Sequence, residues 1–321
     1  MTMNALFADR YGSVDVLTLR DLEVPVPAPD EILVQVHAAA VNPADLHLLA
    51  GQPFFLRFMG AGLLRPRNRV PGTDVAGRVQ AIGSNVRRFR VGDAVFANLS
   101  DHGAGGFAEL VRAPERAWVK MPAGSTFAQA AATPMAAVTA LQGLRGEGNV
   151  GAGQRVLIHG ASGGVGTFAV QIARALGADV TAVTSTRNLD LARSLGAERV
   201  IDYTRDDFAT QGERYDLVFD TVATRTVAEY RRVLMPGGRF VTTGFLPALA
   251  LPARWRERPG EPRMRNFLSK ASTDDLAAVA AMLEAGDVTP VIDRSYPLER
   301  AADALRYVAE RRARGKVVIV P

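Results

Sequence analysis

The stretch VLIHGASGGVGTFAVQ, residues 156–171, decides how this chain is read. A short apolar run leads into a glycine-rich turn, and a helix-compatible segment follows directly. That order gathers the free N–H groups of a helix start around one point, where they can hold an anion. The fingerprint for a dinucleotide's pyrophosphate is G-x-G-x-x-G between a strand and a helix. Here the register reads Ala161, Gly163 and Gly166, with Gly164 extra and Ser162 and Val165 completing the turn. Alanine suits the first position as long as its backbone does not need a positive φ. Gly163 keeps side chains away from the pyrophosphate, and Gly166 lets helix and strand approach closely.

The glycines alone are a weak signal, and the surrounding segments strengthen it. Strand-like DVTAVT (179–184), ERVIDY (198–203), YDLVFDTV (215–222) and RFVTTGF (239–245) follow. Helical patterns stand between them at 165–176, 188–195 and 226–234. This alternation predicts parallel strands joined by right-handed crossovers, a doubly wound α/β sheet. Upstream, EILVQVHAAAV (31–41), VAGRVQAIG (75–83), VGDAVFA (91–97) and GGFAELVRA (105–113) read as a β-rich module. From Thr126 onward TFAQAAATPMAAVTALQGL is helical and broken by Pro134. The tail holds a helix at 272–286, capped by Ser272 or Thr273, then strand-like VTPVIDRSYPL (288–298), another helix and GKVVIVP (315–321). Its mixed texture predicts that the tail rejoins the first module.

The 321 residues suit two domains rather than one core. The 38 Lys and Arg against 33 Asp and Glu leave a mild excess of +5, concentrated only in RWRERPGEPRMR (254–265). That run reads as a solvated loop or, alternatively, an anion-facing or membrane-facing patch; no recognition-helix or RNA-stacking pattern accompanies it, so nucleic acid is not an expected partner. The absence of cysteine excludes disulfides, thiolate catalysis and sulfur-ligated zinc. The N-terminal MTMNALFADRYG lacks a signal-peptide layout. PFFLRFMGAGLL (53–64) contains Arg57 and falls far short of a membrane span. A cytoplasmic protein with no membrane span is expected.

The end of the second strand of a dinucleotide fold carries an acid when the ribose of NAD is bound. That position here is Ser185, within TSTRN, with Arg187 nearby and Asp190 farther along the following helix. A carboxylate would repel a 2′-phosphate, whereas a hydroxyl and a guanidinium welcome one. NADPH is therefore the expected cofactor.

The whole chain resembles the medium-chain dehydrogenase/reductase superfamily, and within it the zinc-independent quinone oxidoreductase group. The motifs that carry the resemblance run from end to end. They are VNPADLHLLAG (41–51), VPGTDVAGRVQAIGSNVRRFRVGDAVFA (70–97), GGFAELV (105–111), AAATPMAAVTALQGL (130–144), the phosphate turn, GAERVIDY (196–203), VTPVIDRSYPL and GKVVIVP. The resemblance implies a GroES-like β-rich catalytic domain, 1–124 with 262–321, and a Rossmann NADPH-binding domain, 125–261. It also implies an active site in the cleft between them and a homodimer joined through sheet edges.

Zinc-dependent members place a Cys ligand where VNPAD stands and a His-Glu pair where Thr73 and Asp74 stand; this chain has none of these. What the resemblance then implies is hydride transfer from NADPH to a quinone or an α,β-unsaturated carbonyl, whose conjugation spreads the developing charge without a metal. The alternatives are an NADP-dependent alcohol dehydrogenase, for which no base or metal is evident, and a non-catalytic NADPH-binding sensor. Carried over by position, Asn42 and Asp45 match the segment beside the nicotinamide. Asn42 is expected to hydrogen-bond cofactor or substrate, and Asp45 either shares that role or braces the turn. His47 is a proton donor or a lining side chain, and His102 is a second donor candidate. Thr139 matches a nicotinamide-ribose contact. Ser185, Arg187, Asn188 and Tyr203 match the 2′-phosphate pocket. Gly244 stands where the carboxamide passes, and Lys316 where the tail approaches the cofactor. His37 and His159 read as satisfied structural histidines, and Phe54 and Phe55 as a wall or lid for a flat substrate.

Overall fold

The computed structural model describes residues 1–58, 62–250 and 260–321, without the side chains of Phe55 and Leu56. The chain forms two compact units. Met1–Met135, Ala271–Glu284 and Pro290–Pro321 make the first, and Ala136–Lys270 with Ala285–Thr289 the second.

In chain order the first unit begins with β1 (Thr2–Ala8), β2 (Leu17–Glu23), β3 (Glu31–Val41), α1 (Pro43–Ala50), β4 (Asp74–Ile82), β5 (Ala94–Asn98), β6 (Leu110–Pro114), β7 (Val119–Lys120) and α2 (Phe127–Ala131). The helix α3 (Pro134–Leu141) leads into the second unit, with Pro134 opening a new helix where it broke the sequence pattern. There follow β8 (Arg155–His159), α4 (Gly164–Ala175), β9 (Asp179–Thr184), α5 (Leu189–Ser194), β10 (Arg199–Asp202), β11 (Tyr215–Asp220), α6 (Val227–Arg232), β12 (Leu234–Thr242) and β13 (Arg263–Asn266). The chain then returns to the first unit with α7 (Thr273–Glu284), β14 (Ile292–Pro297), α8 (Ala301–Ala309) and β15 (Lys316–Val320).

Both unit boundaries lie later than the sequence predicts. Helix α2 packs on β3 and β4, which keeps it in the first unit. Strand β13 pairs in parallel with β12, Arg239 beside Arg263, which carries the second unit to Lys270.

In the first unit β1 and β2 form an antiparallel pair, Ala8 opposite Leu17. The larger sheet runs β14-β15-β3-β4-β5-β7, and β6 also pairs with β3. The closing strand β15 thus enters beside β3, with Val317 opposite Val41. That register brings Lys316 to the end of β3, where Asn42 begins the turn into α1. Buried Ile32, Val34, Phe107, Trp118, Leu305 and Ile319 fill the core. Helix α7 starts where its sequence cap predicts, because Ser272 Oγ accepts from the Asp275 N–H at 3.1 Å.

In the second unit six parallel strands follow the order β10-β9-β8-β11-β12-β13. Counted within the unit, the first three strands run one way from β8 and the last three the other. The reversal between β8 and β11 is a topological switch point, where the connections leave in opposite directions and open a crevice at the strand ends. Leu157, Val183, Val218, Tyr230 and Phe240 form the core beneath it.

Candidate active site

The phosphate turn begins one residue earlier than its sequence register. Gly160, directly after β8, has φ +84°, and a Cβ there would lie 2.3 Å from Thr221 Oγ1. The left-handed turn therefore belongs to Gly160, which the sequence reading passed over. Ala161 follows it in an ordinary conformation and is fully buried, its N–H donating to the Val183 carbonyl at 3.2 Å. Glycine followed directly by a buried-sized alanine after a strand was the signal available for this shift. Gly163 precedes α4 without a side-chain cap. The amides of Gly164, Val165 and Gly166 make no backbone hydrogen bond among the described residues. A Cβ on Gly166 would stand 2.1 Å from the Gly160 carbonyl oxygen, so this glycine sets how closely α4 meets the turn.

Two of the residues expected around the 2′-phosphate, Ser185 and Asn188, come together beside Ser162 of the turn. Ser162 Oγ accepts from Thr184 Oγ1 at 2.8 Å and from Asn188 Nδ2 at 2.9 Å. Asn188 Nδ2 also donates to Ser185 Oγ at 3.2 Å. Asn188 is buried, yet its Oδ1 has no hydrogen-bond partner among the described residues. Such an orphaned acceptor fits a donor on a bound ligand. Arg187 is exposed on the same turn. Tyr203 is also exposed, its backbone N–H held by the Thr184 carbonyl at 3.0 Å. One carboxylate near this edge escaped the sequence reading. Asp202, at the end of β10, accepts from Thr186 Oγ1 at 2.5 Å and Thr204 Oγ1 at 2.8 Å. The Thr186 hydroxyl holds this carboxyl below the usual range. These residues and the amides of α4 fit a dinucleotide.

A buried network lies at the ends of β8, β11 and β12, across the switch point. His159 Nδ1 is 2.9 Å from Asp220 Oδ1 and 3.0 Å from the Tyr230 hydroxyl. Asp220 Oδ2 accepts from Thr242 Oγ1 at 2.6 Å, and both carboxylate oxygens accept the Ala223 N–H. Burial pushes the Asp220 carboxyl up, but the His159 contact and the Thr242 and Val222 donors outweigh it and leave it lowered. The ionised carboxylate accepts, so Nδ1 carries the His159 proton. The network pins the turn after β11, where Ala223 has φ +52°. Gly244 faces that turn, and a Cβ on it would lie 2.4 Å from Ala223 Cβ. Thr139 is buried and donates to Ser269 Oγ at 2.8 Å.

A second polar cluster is built within the first unit. Asn42 precedes α1 and donates its backbone N–H to Asp45 Oδ2 at 2.8 Å, so Asp45 braces the helix start. Asn42 Nδ2 donates to Thr73 Oγ1 at 3.2 Å and to Asp74 Oδ2 at 3.0 Å. Lys316 Nζ donates to Asn42 Oδ1 and, at 3.3 Å, to the Val41 carbonyl, and lies 3.7 Å from Asp74 Oδ2. All five side chains are buried. Burial pushes Asp45 up to about 7, with the neighbouring Asp74 charge adding to it. Burial also raises Asp74, against Lys316 and Asn42, and lowers Lys316.

This arrangement alters two expectations. Both amide protons of Asn42 are used internally, so its side chain has no donor left for a cofactor or substrate. The ammonium of Lys316 is likewise engaged inside the first unit rather than presented to a cofactor. The cue in the sequence was a charge in each of two apolar strand segments, TDVAG and GKVVIV, since buried charges require partners. The same cluster tests zinc: the cation beside Asp74 is an ammonium, and the donors at hand are an amide, a hydroxyl and carboxylates. No group of three or more His, Cys, Asp or Glu suited to a metal occurs among the described residues. These residues do not fit a zinc site.

His47 is exposed on α1. His102 ends a one-turn helix, and burial lowers its pKa, helped by Arg116. His159 is satisfied as the sequence predicts. His37 is not: its ring stacks on Phe127 at 4.3 Å while its buried Nε2 has no hydrogen-bond partner among the described residues. Phe54 is exposed, with the Arg57 guanidinium 5.1 Å from its ring centre. The side chain of Phe55 and residues 59–61 and 251–259 lie outside the described residues, so the 52–69 and 246–265 segments are seen only in part.

Comparison with known proteins agrees with this geometry. Residues 28–123 match the family described as alcohol dehydrogenase GroES-like domain, and residues 195–319 the family described as zinc-binding dehydrogenase. An NADPH-dependent alkenal/one oxidoreductase of Arabidopsis thaliana is 35% identical over 99% of this chain and 80% of its own length. The quinone oxidoreductase of Homo sapiens is 30% identical over 99% of this chain and 98% of its own. The solved quinone oxidoreductase of Coxiella burnetii superposes with a TM-score of 0.86 at 29% identity, covering 100% of both chains.

Proposed function

The chain belongs to the medium-chain dehydrogenase/reductase superfamily, and from that premise we propose a zinc-independent, NADPH-dependent reductase of quinones or α,β-unsaturated carbonyls. The observation that carries the reading is the phosphate turn joined through Ser162 to Asn188 and Ser185, with a serine where an NAD-specific acid would stand. The relatives named for quinones and for alkenals and alkenones support the substrate class. A cytoplasmic homodimer belongs to the same reading; its support is the edge strand β13, and no described helix is long and apolar enough to cross a membrane.

When bound, NADPH supplies the hydride. The chain's part is to hold, orient and protonate. The amides of Gly164, Val165 and Gly166 take the pyrophosphate oxygens, and Ser185, Arg187 and Tyr203 the 2′-phosphate. Thr139 and the Gly244 backbone orient the ribose and carboxamide, and the His159–Asp220 pair keeps the turn beside Gly244 in place. Hydride addition to the β-carbon of an enone moves the electron pair onto the carbonyl oxygen. A proton then completes the saturated ketone at the α-carbon; a quinone becomes a hydroquinone in the same way. His47 is the proposed proton source, its imidazole serving as a general acid.

The test is steady-state NADPH oxidation with 1,4-benzoquinone and with a simple enone, beside alcohol oxidation with NADP. Turnover of either acceptor and none of the alcohols is expected. Tight NADPH binding without turnover of any acceptor would instead make the chain a cofactor-binding sensor. Replacing His47 by Phe should lower kcat while NADPH affinity stays unchanged.

A further inference from the structure

Asp202 is a buried carboxylate at the edge of the second unit's sheet, and hydride transfer gives it no task. It ends β10 in register with Thr184, the last residue of β9. Thr186, two residues beyond Thr184, donates its hydroxyl to Asp202 Oδ2 at 2.5 Å. Oδ1 accepts from the Thr204 N–H at 3.0 Å and from Thr204 Oγ1 at 2.8 Å. Arg205 Nε lies 3.8 Å from Oδ2. An acid at the end of a strand in this region can take ribose hydroxyls and select NADH. Here both carboxylate oxygens are already committed, to the turn after β9 and to the turn after β10.

The 185–188 turn is thereby gripped from two sides. It closes on itself through the Asn188 N–H, which donates to the Ser185 carbonyl at 2.8 Å. Asn188 Nδ2 joins it to Ser162 of the phosphate turn, and Thr186 Oγ1 joins it to β10. Tyr203 is drawn to the same place, since its N–H donates to the Thr184 carbonyl at 3.0 Å. Thr186 stands in the chain between Ser185 and Arg187, which with Tyr203 are the residues proposed for the 2′-phosphate. The Thr186 hydroxyl holds the Asp202 carboxyl below the usual range, so the bond between them is charge-assisted and strong. A turn fixed in this way loses little freedom when an anion binds, whereas a loose one must first be ordered.

Resting on the NADPH reading above, we propose that Asp202 is a positioning residue for cofactor choice. Through Thr186 it holds the 185–188 turn in the form that takes a 2′-phosphate.

The experiment is calorimetric titration of wild-type protein, Thr186→Val and Thr186→Ser with NADPH and NADH, and with 2′,5′-ADP and 5′-AMP. The last two differ only in the 2′-phosphate and read its pocket without turnover. Thr186 is exposed, so the valine variant is expected to keep its fold. Valine keeps the shape and loses the donor, and should weaken NADPH and 2′,5′-ADP at least about fivefold. NADH and 5′-AMP should bind nearly as before. Serine restores the donor and should recover most of the loss. A contact that is merely structural would lower the melting temperature and all four affinities together, which would overturn the proposal. An unchanged ratio of NADPH to NADH affinity in Thr186→Val, or a serine variant no better than the valine, would overturn it too while leaving the NADPH reading intact. Wild-type protein that binds NADH as tightly as NADPH would overturn that reading, and the role of Asp202 with it.

Discussion

The ammonium of Lys316 donates to the amide oxygen of Asn42, joining residues 274 positions apart. The antiparallel register of β15 on β3, Val317 opposite Val41, makes the meeting possible. Through Asn42 the contact reaches Thr73 and Asp74, and so ties the last strand to the start of α1.

Removing the cation should show how far this cluster depends on it. Lys316→Met leaves Asp74 buried beside an apolar side chain, and such a loss costs about 3–5 kcal/mol. Urea denaturation should show a loss of that size, with Lys316→Met/Asp74→Asn recovering most of it. A single variant within about 1 kcal/mol of wild type would mean that the pair contributes little.

Asp45 makes stability depend on pH. Its carboxyl is pushed from 3.8 to about 7, so the folded protein keeps a proton that the unfolded chain releases. The stabilisation is complete below the ordinary carboxylate pKa and is lost as pH rises to about 7. Asp45→Asn keeps an oxygen for the Asn42 N–H and removes this titration. Relative to wild type, the variant should melt several degrees higher near pH 8 than near pH 5. Parallel Tm profiles for the two proteins would contradict this.

Gly166 leaves no room for a side chain. Its Cβ would meet the Gly160 oxygen at 2.1 Å and Ala161 Cα at 2.8 Å, both backbone atoms. Gly166→Ala must push α4 away from the turn, costing about 1–3 kcal/mol. Titration of NADPH fluorescence should show at least about tenfold weaker binding, with secondary structure retained by circular dichroism.

Cofactor choice should rest on Arg187. Losing a charge-assisted contact to phosphate costs about 1.5–3 kcal/mol, so Arg187→Ala should weaken NADPH roughly tenfold or more while NADH is nearly unaffected. Equal losses for both cofactors would remove the 2′-phosphate role.

The alternation of strands and helices was legible because a doubly wound sheet writes itself locally. Each buried strand is a short apolar run, each covering helix an amphipathic one, and the turn between β8 and α4 needs its own glycines. Even there, the register slipped by one. The atoms that leave no room for a side chain at Gly160 belong to Thr221 and Val222, about sixty residues away in sequence. The unit boundaries slipped for a similar reason. Whether α2 and β13 belong to one unit or the other depends on the strands they pack against, not on their composition.

Residue types and spacing by themselves determined the nucleotide turn, the serine in place of an acid, and the absence of thiol chemistry, because these are properties of short segments. Only the tertiary structure decided what Asn42, Asp45 and Lys316 do. A buried amide or charge takes its meaning from the partners that satisfy it, and strand pairing brings those partners from opposite ends of the chain.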